Sequence, residues 1–246
     1  MSPYKITMPT GDVRSLPRVT EVIRAGMPRP ALQEWELREV VKWAQGFPDF
    51  THSHSASEII AAWRKDHRKH ADRGTAVHRW IAAILRGDPP PAMLASHSGY
   101  KIAFMNWMSD PDWSRHLERD RCMVEQTLAS WDYGVAGTAD LIVLYPDGKG
   151  VLYDWKTVDG KPGDDGAPMW PQQLAQLGAY ASMDLLVEDG VVIGAEVPLI
   201  HAASVVRLYV DGSYRVLTVE GVGLEGARDL WDAVRTVARA MRGQTP

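Results

Sequence analysis

Residues 137–156, GTADLIVLYPDGKGVLYDWK, limit what this chain can fold into more than any other stretch. Two apolar runs, LIVLY and VLY, flank Pro146-Asp147-Gly148-Lys149-Gly150. Strands joined by a Gly-containing connection of that length read as a β-hairpin. A turn centred near Gly148 sets Asp140 opposite Lys156, with Asp154 one same-face step away. Side chains alternate with period two, so these three even-numbered residues project from one face at one end of the hairpin. Two carboxylates and an ammonium are costly to gather unless they pair or bind something. Hard oxygen ligands beside a lysine suit Mg²⁺ or Mn²⁺ and the hydrolysis of a phosphodiester.

Composition narrows the alternatives. The 246 residues allow one sizeable core with room for a small helical subdomain. The apolar run Trp80–Leu85 is too short to span a bilayer and no signal-peptide core precedes it, which makes a cytoplasmic protein the expectation. Cys122 is the only cysteine, which excludes an internal disulfide, a CxxC zinc site and a four-cysteine iron–sulfur cluster. Neither Lys149 nor Lys161 sits in a Walker phosphate loop, so ATP is not an expected cofactor. The formal charge of −4 argues against a nucleic-acid binder, but local distribution matters more than the sum. Residues 64–73, RKDHRKHADR, place Arg64, Lys65, Arg68, Lys69 and Arg73 together. They read either as a solvated helix face or as a DNA approach.

Along the chain, residues 1–19 show no clear periodicity, and Thr20 is the expected cap of a short helix ending at Gly26. A helix is predicted over 31–45 and a loop over Phe47–His54. Ser55-Ala56-Ser57-Glu58 has the capping-box pattern and opens a helix that meets Gly74, resumes through Val77 and ends before Gly87 and Pro89–Pro91. On it, His78 shares a face with Ile81, Ala82 and Leu85, as a packed hydrogen-bonded histidine or as a metal ligand. Residues 99–108 read as an aromatic-rich helix and 121–130 as a strand. In that strand Glu125 either pairs with an arginine or joins the acidic site.

The Gly/Pro-rich segment 159–171 is a long loop. It leads into a predicted helix QQLAQLGAYASMDLL, with Gln173, Gln176, Leu177, Tyr180 and Asp184 along one side. That side is an ordinary amphipathic stripe, or a set of contacts to phosphates or bases. Two or three more strands over 191–219 and a packing helix over 223–242 complete the chain. The pairs His52/His54 and His67/His70 have zinc-like spacing but sit in loop or surface contexts.

The order of motifs resembles a known family. G-T-A-V-H (74–78), Glu125, G-T-A-D (137–140), D-W-K-T (154–157) and Q-L-G-A-Y (176–180) look like the PD-(D/E)XK nuclease superfamily. The likeness is to its RecB-type and phage-type exonuclease branch, and LPRVTEVIRAG (16–26) resembles the N-terminal motif of that branch. The resemblance implies an α/β fold with a restriction-endonuclease-like core, a mixed central β-sheet flanked by helices. An N-terminal helical region, 1–54, would pack on the nuclease core, 55–246.

The same resemblance implies that Asp140, Asp154 and Lys156 are catalytic, with Glu125 matching an acidic strand position counted beside them, and that His78, Asp140, Asp154 and the Trp155 carbonyl hold one or two Mg²⁺ or Mn²⁺ ions. Gln176 and Tyr180 match its Q-x-x-x-Y motif, which would hold DNA, and Gln173 and the basic stretch join them on the reading of the residues alone. Asp154 replaces a common Glu, Arg18 a common Ser, and the cysteines of the iron–sulfur relatives are absent. The implied activity is a metal-dependent DNA exonuclease of phage or bacterial recombination and repair, with a single-strand annealing or recombination protein as its partner and no membrane. Two alternatives stay open, a structure-specific endonuclease on the same fold and a catalytically silent DNA-binding recombination protein.

Overall fold

The computed structural model describes residues 3–27, 30–114, 121–163 and 168–243, with side chains at all of these except 30–36, 67–70, 113–114 and 194–195. Among them, nine strands form one open mixed sheet: β1 (Tyr4–Thr7), β2 (Val13–Leu16), β3 (Cys122–Ser130), β4 (Val135–Leu144), β5 (Lys149–Val158), β6 (Leu185–Glu188), β7 (Val191–Glu196), β8 (Leu199–Tyr209) and β9 (Tyr214–Glu220). Their order is β2-β1-β7-β6-β3-β4-β5-β8-β9. Parallel pairs join β1 to β7 and β5 to β8, and the other neighbours are antiparallel. Eight α-helices accompany the sheet in chain order: α1 (Val19–Gly26), α2 (Pro30–Gln45), α3 (Pro48–Ser53), α4 (Ala56–Arg86), α5 (Ser98–Ser109), α6 (Pro111–Ser114), α7 (Pro171–Ala181) and α8 (Val222–Met241).

The central strands are apolar on both sides because helices cover both faces, which is why LIVL is continuous rather than alternating. On one face, α1, α7 and α8 bury Val22, Leu177 and Trp231 with Leu128, Ile142, Leu152 and Val205 of the sheet. On the other, the end of α4 and α5 bury Ile81, Phe104 and Trp107 with Leu141, Tyr153, Trp155 and Val206. Gly178 lets α7 and α8 touch backbone to backbone, since a Cβ there would lie 2.0 Å from the Ala227 carbonyl oxygen.

The chain divides into two compact units, Met1–Met27 with Val77–Pro246, and Pro28–Ala76. A boundary at 54/55 therefore does not describe it: β1, β2 and α1 go with the sheet, and the first turns of α4 go with α2 and α3. Other expectations shift as well. Residues 4–7 and 13–16 are strands, too short to show a period against the background of prolines. The cap of α1 is Arg18, whose N–H donates to Glu21 Oε2 at 3.2 Å, and Thr20 lies inside the first turn. Residues 48–53 are helical, with Pro48 at the first position where its missing N–H costs nothing. α4 runs through Gly74 unbroken over 31 residues, because one glycine costs a helix interior only about 1 kcal/mol. α7 stops at Ala181, and Leu185 and Leu186 belong to β6, where the sheet offers β3 as a partner.

Candidate metal and carboxylate site

The site forms where β4 and β5 part. Their ladder runs from Leu144/Gly150 to Leu141/Tyr153 and ends there. Tyr145 N donates to Lys149 O at 2.8 Å, which closes the turn around Asp147 rather than Gly148. Asp140 consequently aligns with Asp154, not with Lys156. The shift is by two residues, an even number, so the faces are unchanged.

Past the last ladder pair, Asp140 Oδ2 accepts the Trp155 N–H at 2.8 Å. A carboxylate thus takes the hydrogen bond that a neighbouring strand would otherwise supply. Tyr153 and Trp155 point the opposite way, into the aromatic core, where the Trp155 ring lies 4.8 Å from Trp107 and 5.5 Å from Phe104.

His78 reaches this fork from α4, whose Val77, Trp80, Ile81 and Leu85 are buried in the same aromatic core. Its Nε2 lies 3.0 Å from the Trp155 carbonyl and its Nδ1 3.2 Å from Asp140 Oδ1. A carbonyl oxygen only accepts, so Nε2 carries the proton. Nδ1 then faces a carboxylate and needs a second proton or a cation between them. Burial works to lower the His78 pKa, but Asp140 outweighs it and holds the imidazole above its ordinary value. The same pairing outweighs the burial of Asp140 and keeps that carboxyl below its ordinary value.

Glu125 completes the group. It stands opposite Asp140 between the pairs Val124/Leu141 and Gln126/Ala139, and its φ of 51° is left-handed. A non-glycine residue held there costs on the order of 1–3 kcal/mol and persists only where its surroundings require it. Arg86, in the last turn of α4, donates to the Val124 carbonyl at 2.8 Å and braces the backbone just before the kink. Ligand atoms of His78, Glu125 and Asp140 all lie within 4.8 Å of one another. Burial, and then the neighbouring Asp140 charge, push the Glu125 carboxyl up to about 7. Two carboxylates and an imidazole converging within 4.8 Å are a donor set that suits a metal ion.

Asp154 is not one of these three. It is buried, with Oδ2 paired to the Lys156 ammonium and Oδ1 accepting from Gln176 Nε2 at 3.0 Å. Gln176 spans the pair, since its Oε1 accepts from Lys156 Nζ at 3.3 Å, and its amide also lies 3.4 Å from Tyr180 Oη. Burial works to lower the Lys156 pKa, but Asp154 and then Asp140 outweigh it and raise it. Lys156 is therefore held as an ammonium. The Tyr180 ring lies on β4 where Gly137 leaves room, because a Cβ there would come within 2.6 Å of it.

The expected residues thus separate. His78, Glu125, Asp140, Asp154, Trp155, Lys156, Gln176 and Tyr180 meet at one place. The Trp155 carbonyl, expected as a metal ligand, accepts from His78 instead. Gln173 faces elsewhere: its Oε1 accepts from Trp170 N at 3.2 Å and from Arg207 at 3.3 Å, closing the start of α7. Arg64 and Lys65 are exposed and Arg73 half-buried on the part of α4 in the Pro28–Ala76 unit, whereas the side chains of Arg68 and Lys69 lie outside the described residues. Two positioning residues escaped the sequence reading. Arg86 carried only the weak signal of a basic residue in a last helical turn, and Tyr4, whose Oη lies 2.8 Å from Thr138 Oγ1, sits in a segment read as irregular.

Comparison with known proteins adds little to this geometry. No helix among the described residues is long and apolar enough to cross a membrane. No family model and no curated protein matches the chain. Among solved structures, one titled "Crystal structure of SSO0001" is similar at 16% identity, covering 65% of this chain and 72% of that one, with a TM-score of 0.28. A likeness at that score carries no argument.

Proposed function

We propose that the chain is a Mg²⁺- or Mn²⁺-dependent deoxyribonuclease with a restriction-endonuclease-like core, acting as an exonuclease in phage or bacterial recombination and repair. One observation carries the reading: the His78, Glu125 and Asp140 ligand atoms converge within 4.8 Å beside the Asp154–Lys156 pair clasped by Gln176. The order of the five motifs that resemble PD-(D/E)XK nucleases supports it, as does the α/β sheet on which those motifs meet.

In this reading His78, Glu125 and Asp140 hold the ion. A bound divalent ion supplies Lewis-acid polarisation of a phosphoryl oxygen and a water of lowered pKa. Lys156 meets the charge that develops on the phosphate, and Gln176 fixes the angle at which its ammonium is presented. A phosphate that accepts from Lys156 would compete with Asp154 for its ammonium, and Asp154 would then be a further carboxylate able to hold the ion. His78 must give up one proton to ligate, and Glu125 must give up another.

The test uses the purified chain with a linear duplex labelled separately at its 5′ and 3′ ends and with a covalently closed circle. Each is incubated with Mn²⁺, with Mg²⁺ and in excess EDTA. Metal-dependent release of label from the linear substrate alone is the expected result. Cleavage that persists in EDTA, or in Asp140→Asn, rules out the metal-dependent mechanism. Cleavage of the closed circle moves the reading to an endonuclease.

A further inference from the structure

At the far end of β4 from the fork, the β3–β4 turn and the end of α8 line an open cavity of about 240 Å³. Arg235, Arg239 and Arg242 line it, four and three residues apart along one side of the helix and its cap. The Arg235 guanidinium lies 4.4 Å over the Tyr133 ring and pairs with Asp232 at 3.1 Å. Its Nε is buried and has no hydrogen-bond partner among the described residues. Arg239 is held by the Tyr133 carbonyl at 2.8 Å. Arg242 is exposed. In the same turn, Trp131 is covered by Arg14 at 4.1 Å.

Four arginines against Asp132 and Asp232 leave this region at +2, on a chain whose formal charge is −4. Arginines near a helix C-terminus also relieve its dipole, and that role requires no ligand. It does not explain a concave cavity lined by three of them, an orphaned N–H or guanidiniums set over aromatic rings. Planar guanidinium forks match phosphate oxygens, and arginine interleaved with aromatic rings is the usual surface for nucleic-acid backbones. Val135, on the cavity wall, is five residues along β4 from Asp140, roughly 16 Å at the rise of a strand. Phosphates repeat about every 3.4 Å of axis along one strand of a duplex, so a duplex whose axis follows β4 brings a phosphate about five nucleotides on to the level of the cavity.

We propose that this cavity is a second phosphate-binding subsite, which grips the nucleic-acid backbone about five nucleotides from the bond that is cut. The identity of the anion rests on the nuclease reading above, and the cavity itself does not. The test is fluorescence anisotropy of a labelled duplex in EDTA with the full chain, its Arg242→Glu variant and its Arg242→Lys variant, across a salt series. Thermal melting serves as the check on folding.

Charge reversal is expected to weaken binding about tenfold and to lower the slope of log K against log salt by about 0.9, while Arg242→Lys keeps the slope. A two-nucleotide strand, too short to reach, shows no difference between the proteins. An equal loss on that short strand would put the effect of Arg242 at the carboxylates and overturn the subsite. Metal-dependent cleavage with unchanged affinity and slope in Arg242→Glu also overturns it, and leaves the nuclease reading standing. No oligonucleotide binding by the unaltered chain overturns both.

Discussion

The two sides of β5 do opposite things with consecutive residues. Tyr153 and Trp155 enter a buried aromatic cluster with Phe104 and Trp107, whereas Asp154 and Lys156 enter a polar cluster with Gln176 and Tyr180. The Trp155 indole is 1% exposed and edge-on to two neighbouring rings, so its backbone has little freedom. That same backbone donates to Asp140 and accepts from His78. The apolar side therefore sets the positions of groups on the polar side. A site built in this way is as precise as the packing behind it.

Four measurements would break or sharpen this contrast. The largest effect belongs to the polar side alone: Asp154→Asn keeps the shape and loses the charge. Cleavage in Mn²⁺ is expected to fall about 10³-fold with melting little changed, and full activity would remove Asp154 from the chemistry. Trp155→Ala attacks the apolar side. Truncating so large a buried aromatic costs about 3–5 kcal/mol, visible in thermal or denaturant melts. Because the polar groups hang on this backbone, Mn²⁺ affinity should weaken too, and unchanged affinity would uncouple the two sides.

Gln176→Ala removes the clasp and leaves the ion pair. Hydrogen bonds to charged groups are worth about 1.5–3 kcal/mol, so a fall in kcat of about 10- to 100-fold is expected. The mildest perturbation is pH. Glu125 is protonated up to about 7, and His78 is held protonated above its ordinary range. Both protons must leave for the ion to bind, so affinity is fully present above these pKa values and is lost as pH falls through them. Calorimetry with Mn²⁺ should show proton release and a fall of up to about tenfold for each pH unit below the Glu125 value of about 7, with the raised His78 proton adding to it. Glu125→Gln should flatten that profile, and an unaltered profile would take Glu125 out of the ligand set.

Much of this was legible from local signals. Ser55 and Glu58 exchange the reciprocal capping bonds that their spacing announced, with Ser55 N donating to Glu58 Oε2 at 2.8 Å and Glu58 N to Ser55 Oγ at 3.4 Å. Asp140, Asp154 and Lys156 meet because period-two alternation survives a register error of two. His78 could be put on a buried stripe but not aimed, since its partners are 62 and 77 residues away. Gln173 and Gln176 looked equivalent along the chain, and only the packing of α7 sends one to Arg207 and the other to Asp154. The left-handed Glu125 had no signature, because nothing about a Glu announces a positive φ.

The amino-acid sequence by itself determined the elements that rest on local pattern: the β4–β5 hairpin, the acidic and basic residues on one of its faces, the helix carrying His78 and the Gln/Tyr helix. The tertiary structure decided which oxygens face each other. It ended the β4–β5 ladder at Leu141, turned Glu125 inward, gave the Trp155 carbonyl to His78 and bound Asp154 to Lys156 and Gln176. Strand periodicity needs only neighbours two residues away, whereas a ligand set needs side chains far apart in sequence to arrive within a few ångströms of one another. Only the burial of both sheet faces supplies that constraint.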